Sequence, residues 1–265
     1  MSELTLLQAA LAVMSGGLVG FALGLVGGGG SILAVPLLVY VVGIPSPHVA
    51  IGTSAVAVAG AGALSLLHHI RAHNVRWPCA LSFTVAGIAG AAIGAHFGQR
   101  FDGQKLLALF GLLMIVVGAL MLRRRGGAAD EDVRLTRDKA ARLLPRLLLI
   151  GLIVGLLSGF FGIGGGFLVV PGLIGATAMP VLSAIGSSLV SVAAFGATTA
   201  TSYALSGLVD WPAASAFVVG AAGGGFVGSA AVKRLSHSQN GPRLLFAIFV
   251  ALVGVYVALR GIGLI

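Results

Sequence analysis

Two glycine clusters, Gly27–Gly30 and Gly162–Gly166, hold the residues of this chain whose types and spacing could do chemistry. Glycine lets a backbone leave helical geometry, and a helix that restarts afterwards presents N–H groups without intrahelical partners. Those groups and the positive end of the helix dipole suit an anion. Gly29, Gly30 and Ser31 would supply one set of donors, and Gly164, Gly165 and Gly166 the other. A second constellation follows each cluster: Gly52-Thr53-Ser54 and Gly186-Ser187-Ser188, with Ser191 three residues beyond. Its hydroxyls could donate to an oxyanion without placing a full charge in an apolar setting. They could equally cap helices or bond between them.

The groups that are absent narrow the chemistry further. All seven acidic and all sixteen basic residues fall at the ends of apolar segments or between them. No carboxylate is placed to hold a proton or sodium ion inside a membrane. His96 alone among the histidines sits well inside an apolar segment, where a buried packing role is expected; His68, His69 and His73 cluster with Arg71 at a segment end. The single cysteine, Cys79, excludes an intramolecular disulfide and a multi-cysteine metal centre. No metal or cofactor is expected. An intramembrane serine hydrolase would have to pair Ser158 or Ser187 with a histidine, and no sequence signature supports one. No lysine of the phosphate-loop type follows either glycine run.

These residues are carried by elements made for lipid. Of 265 residues, 58% are hydrophobic and only 9% charged, with a mean hydropathy of +1.08. Soluble domains carry roughly 25% charged residues. The expected fold class is all-α: a polytopic helical membrane protein. Apolar segments run at roughly 4–26, 30–43, 48–68, 77–98 and 105–122, then 147–162, 165–178, 181–205, 211–231 and 243–262. Crossing hydrocarbon takes about 20 residues, and the second segment of each set is too short.

The two sets of five are copies. Gly24-Leu-Val-Gly27 through Pro36 returns as Gly159-Phe-Phe-Gly162 through Pro171, an offset of 135. Gly52 to Ser54 return as Gly186 to Ser188, and Trp77-Pro78 as Trp211-Pro212, at 134. Gly16, Gly20 and Gly24 match Gly151, Gly155 and Gly159, with the small-residue spacing of tight helix packing. The chain thus divides into a first repeat (1–122), a basic linker (123–146) and a second repeat (147–265). Placing the linker in the cytoplasm puts thirteen basic residues inside and three (Arg100, Lys105 and Arg260) outside. Both termini then lie outside. An odd number of segments per copy inserts the second copy upside down. Such inverted-topology repeats are common in secondary transporters, with a site between the halves. The net charge of +9 follows this membrane placement, so no nucleic-acid partner is expected.

With GLVGGGGSILAVPLLV and IGTSA in one half, and GFFGIGGGFLVVPGLI and IGSSL in the other, the chain resembles the sulfite exporter TauE/SafE family, or toluenesulfonate uptake permeases. The resemblance covers essentially the whole chain. It implies an inner-membrane permease for sulfite, organosulfonates or related small anions, in a family often described with seven or eight spans. Export of one negative charge from a cell 100 mV negative inside is favourable by about 2.3 kcal/mol. The competing reading is a membrane scaffold subunit without transport of its own. On the charge asymmetry, alkaline phosphatase fused at Met1 or Ile265 should be active, and fused after Gly126 inactive. The reverse pattern would overturn the orientation.

Overall fold

The computed structural model describes residues 5–123, 137–235 and 240–261. The termini and most of the basic linker, on which the orientation expectation rests, lie outside the described residues. The described chain is helical: α1 (Leu6–Val26), a 3-10 segment (Gly27–Leu33), α2 (Ala34–Tyr40), α3 (Pro47–Arg71), α4 (Trp77–Gly98) and α5 (Gly103–Arg123). Then come α6 (Arg137–Phe161), α7 (Gly166–Thr177), α8 (Val181–Leu205), α9 (Trp211–Leu235) and α10 (Asn240–Gly261). Among the described residues, seven helices are long and apolar enough to cross a membrane. At 1.5 Å per residue, α2 and α7 are about 10 and 18 Å long, too short to cross alone.

Helix limits follow the apolar segments closely, with two informative departures. Helix α6 begins ten residues before the apolar segment expected from 147, because the charged run from Arg137 is itself compatible with helix and tolerates Pro145. The short segment after Gly27 divides into a 3-10 stretch and seven α-helical residues, in place of one helix over 30–43.

Two seams of backbone contact hold the bundle. Gly16 and Gly20 of α1 lie against the carbonyls of Phe217 and Ala221 in α9. In α4 and α6, Gly151 lies against Phe83 and Gly155 against Gly87. The second pair of contacts is the first shifted by 134 or 135 residues, with the roles of the halves exchanged. The same relation links Gly224 on Gly17 with Gly90 on Leu152, and Gly228 on Phe21 with Gly94 on Leu156. Numbering rises together along each seam, so α1 runs parallel to α9 and α4 to α6.

The centre is crossed by α3 and α8, which run antiparallel. Gly52 near the start of α3 meets Tyr203 near the end of α8, Gly196 meets Ala59 at mid-length, and Gly186 meets Asn74 just past α3. Helices α5 and α10 pair with each other through Gly111, Gly254 and Gly261. The exits of α3 and α8 are alike: the amides at 74 and 208 bond the carbonyls at 69 and 203, and those at 73 and 207 bond 70 and 204. This Schellman termination needs a left-handed residue. Gly207 (φ 70°) supplies it in one copy, but His73 (φ 55°) in the other.

A side chain on the seam cannot be accommodated without parting the helices. Gly155→Ala should lower stability by roughly 1–3 kcal/mol, the usual cost of overpacking, or more. Gly223→Ala, where a methyl meets nothing within 4 Å, should be neutral or mildly stabilising. Melting temperatures of both variants in detergent check this; equal effects would remove the seam as the source of stability.

Candidate functional site at the second glycine break

Helix α6 ends in the same kind of termination: the amide of Ile163 bonds Ser158 O at 3.2 Å and that of Gly162 bonds Gly159 O at 3.3 Å. Gly162, Gly164 and Gly165 then take φ values of 67°, 63° and 71°, the left-handed region that L side chains rarely occupy. The chain reverses and α7 starts with Gly165 as its N-cap. The first intrahelical bonds are made by Leu168 and Val169 to Gly165 O, both 2.9 Å, so the amides of Gly166 and Phe167 stand ahead of the ladder.

Burial around this turn is complete. A Cβ at Gly162 would strike Ile51, one at Gly164 would come within 2.6 Å of Val58 Cγ1, and one at Gly165 within 2.8 Å of Ser158 Oγ. Ser158 is 0% exposed, and its hydroxyl has no hydrogen-bond partner among the described residues. Leaving a buried hydroxyl unpaired costs about 1–3 kcal/mol. Phe195 walls the turn on the α8 side, 3.2 Å from the Gly165 Cβ position, and stacks on Phe83 at 6.4 Å between centroids. Along the same face of α8, Ser191 bonds Thr84 at 2.7 Å, and Thr199 Oγ1 is buried without a partner among the described residues. Sequence reasoning met Ser158 only as a hydrolase serine and passed over Thr199. A hydroxyl one turn before a glycine break was the available signal.

The first break is built differently. Gly29 and Gly30 lie in the 3-10 segment, and a Cβ at Gly30 would strike the α1 backbone at Leu23. Close packing, rather than a left-handed turn, accounts for Gly30. Ser31 is buried beside it. The 3-10 segment packs against α7 and α8, so elements from the two breaks adjoin.

The structure separates the hydroxyl motif from the single shared site expected of it. Thr53 Oγ1 accepts a hydrogen bond from the amide of Asp210 at 3.0 Å, and Ser187 Oγ accepts one from Arg76 at 2.9 Å. Asp210 and Arg76 immediately precede α9 and α4 and are themselves 134 residues apart. Each hydroxyl therefore supports the start of a helix from the other half. With α3 and α8 antiparallel, about twenty residues of helix keep Thr53 and Ser187 roughly 30 Å apart, so one small anion cannot touch both. Their neighbours are engaged as donors. Ser54 Oγ lies 2.8 Å from Ile51 O and 3.0 Å from Gly162 O, bracing the second break, and Ser188 Oγ bonds Ile185 O at 2.7 Å. His96, expected to be buried, is exposed on α4, edge-on to Phe97 at 6.0 Å. Among the described residues, neither Ser158 nor Ser187 is bonded to an imidazole.

Residues 12–257 match the family described as "Sulfite exporter TauE/SafE". The chain is 48% identical over 257 residues to a probable membrane transporter protein of Xylella fastidiosa (strain 9a5c), covering 97% of each chain. It is 29% identical over 255 residues to the probable membrane transporter protein YunE of Bacillus subtilis (strain 168), covering 90% of this chain and 93% of that one. No solved structure matches the chain.

Thr53→Val and Ser187→Ala each remove the side-chain acceptor of a part-buried amide and should each cost about 1–3 kcal/mol of stability. Distant sites add, so the double variant should lose the sum. Melting curves of the three proteins, read beside anion affinity, decide between caps and ligands. A loss of affinity at unchanged melting would restore the ligand role.

Proposed function

The chain belongs to the sulfite exporter TauE/SafE family and is a multi-pass transmembrane transporter; from that premise we propose that it moves sulfite or a small organosulfonate through a site at the second glycine break. The observation that carries this reading is Ser158: a fully buried hydroxyl without a hydrogen-bond partner among the described residues, set against Gly165, where α7 begins. An oxyanion at this point would accept hydrogen bonds from the Ser158 hydroxyl and the first amides of α7, all neutral donors. Desolvating a monoanion there requires no buried counter-charge, because the helix dipole and oriented N–H groups stabilise it.

The proposal extends to the architecture. The exchanged seams, the antiparallel α3 and α8 and the reciprocal caps at Asp210 and Arg76 support two inverted repeats related by a pseudo-two-fold axis. The thirteen-to-three charge split supports an inner-membrane protein with both termini outside. Access to Ser158 requires movement. The cavities at the helix ends, of about 400 and 430 Å³, are lined by no residue of either glycine cluster. The stacked Phe83 and Phe195 lie beside the turn, with Phe195 against Gly165.

Flux into proteoliposomes holding only the purified chain tests the proposal, across sulfite, sulfate, thiosulfate, methanesulfonate and benzenesulfonate. Transport of sulfite or a sulfonate is expected. Ser158→Ala should weaken apparent affinity about tenfold, the value of one hydrogen bond to a charged group, while leaving melting unchanged or raised. Unaltered flux in a well-folded Ser158→Ala protein would remove the site. No flux of any sulfur anion through the wild type would remove the transport assignment.

A further inference from the structure

We propose that the cavity where α2, α5 and α10 end or begin together is a second anion site, a mouth that takes an oxyanion head on a compact apolar body, of the organosulfonate class. The cavity holds about 400 Å³. Its lining is apolar at Val39, Ile44 and Leu107, and polar at Tyr40, Gln104 and Arg260. Among the described residues, Arg260 is the one charged residue in the lining, and no carboxylate lines it as well. A lone guanidinium in a concave, otherwise neutral surface sets the sign of the ligand.

Geometry holds that guanidinium in place and leaves its donors to the cavity. Arg260 Cζ stands 4.9 Å above the centre of the Tyr40 ring and 6.0 Å from that of Tyr256, and Nη1 donates to Tyr256 Oη at 3.0 Å. The two rings meet edge to face at 5.4 Å. A guanidinium carries five N–H donors in a planar fork, and stacking on a ring face leaves the fork edge available for bidentate contact with an oxyanion. The Tyr256 bond uses one donor, the only one so engaged among the described residues. Ordinary anchoring does not account for this arrangement. A helix-end arginine completing the dipole of α10 would need neither a cavity nor a ring beneath it. Arg260 is also one of three basic residues left outside by the charge pattern. An outward cation in a slot serves capture and release alike, so the proposal concerns binding and not direction.

The substrate class rests on the transport reading above, but the site does not, and one experiment separates them. Benzenesulfonate binding is measured by calorimetry on the full chain in an uncharged maltoside detergent. Wild type should bind, Arg260→Gln should bind at least about tenfold more weakly, and Arg260→Lys, which loses the fork, should fall between them. Gln104→Trp keeps the charge and fills the cavity, so it should weaken binding as much as Arg260→Gln. Gly223→Ala, at a position where a methyl meets nothing within 4 Å and outside both proposed sites, should leave this binding within about twofold. Melting temperatures at or near wild type for the Arg260 and Gln104 variants establish that they are folded. Binding retained in both Arg260→Gln and Gln104→Trp would overturn the mouth site. So would binding lost in Ser158→Ala alone, which would place the sulfonate at the glycine break. The chemistry is shared by lipid phosphate, and nanodiscs of phosphatidylcholine with and without phosphatidylglycerol distinguish the two. Benzenesulfonate binding that persists in both supports the proposal, and binding abolished by phosphatidylglycerol would assign the slot to a lipid headgroup. Calorimetric binding that survives while every flux assay fails would sink the transport reading and leave this site standing.

Discussion

Hydrocarbon gives apolar side chains little reason to prefer one another over lipid tails, so membrane helices hold together where their backbones can approach. In this protein that approach is made through glycine, along α1 with α9 and along α4 with α6. Everything nearer the centre depends on those two seams. They bring each half's first helix onto the other half's fourth, and so enclose α3 and α8. Thr53 and Ser187 then tie the starts of α9 and α4 to that central pair. Losing one seam would deprive a central helix of its wall.

The second glycine break inherits its rigidity from the same constraint. Gly159 is seated on Ala91 and Phe160 lies against Gly98, so the seam runs to within two residues of Gly162, where the left-handed turn begins. The turn therefore projects from a helix pinned almost to its end. Ser54 holds the Gly162 carbonyl from the far side. A strained loop on a mobile helix could not keep the Ser158 hydroxyl and the first amides of α7 in one geometry. Here the neighbours over-determine it, which is the condition under which left-handed backbone persists.

Much of this was legible in the sequence because it depends on composition and period. Apolar runs bounded by Trp-Pro or basic residues marked α4 and α9 to within a few residues, and small-xxx-small spacing marked glycines of both seams. The matched spacing of the two seams was legible because glycine stands at corresponding positions of the sequence where backbones touch. What escaped depends on which partner a group finds across the fold. The matched positions of Thr53 and Ser187 suggested a shared ligand, yet antiparallel helices carry matched residues to opposite ends. Gly30 and Gly165 are equals in sequence, but one is crowded by α1 and the other bends left-handed. Ser158 has no distinguishing neighbour in the chain, and it is set apart only by the lack of a hydrogen-bond partner among the described residues. His96 reads as core in a one-dimensional apolar run, though it lies on the outer side of α4.

The seam between α1 and α9 also sets a schedule for the ribosome. The contacts at Gly20 and Ala221 join residues roughly 200 apart, and at 5–20 residues per second the first waits about 10–40 s for the second. During that interval α1 sits in the bilayer with a bare glycine face toward lipid or toward whatever guards nascent helices. The α4–α6 seam closes far sooner, since only about 70 residues separate Gly87 from Gly155. Assembly is thus asymmetric in time although the finished contacts are matched. Damage to the α1 glycines should appear first as lost yield of inserted protein, before any change in the activity of molecules that complete their assembly.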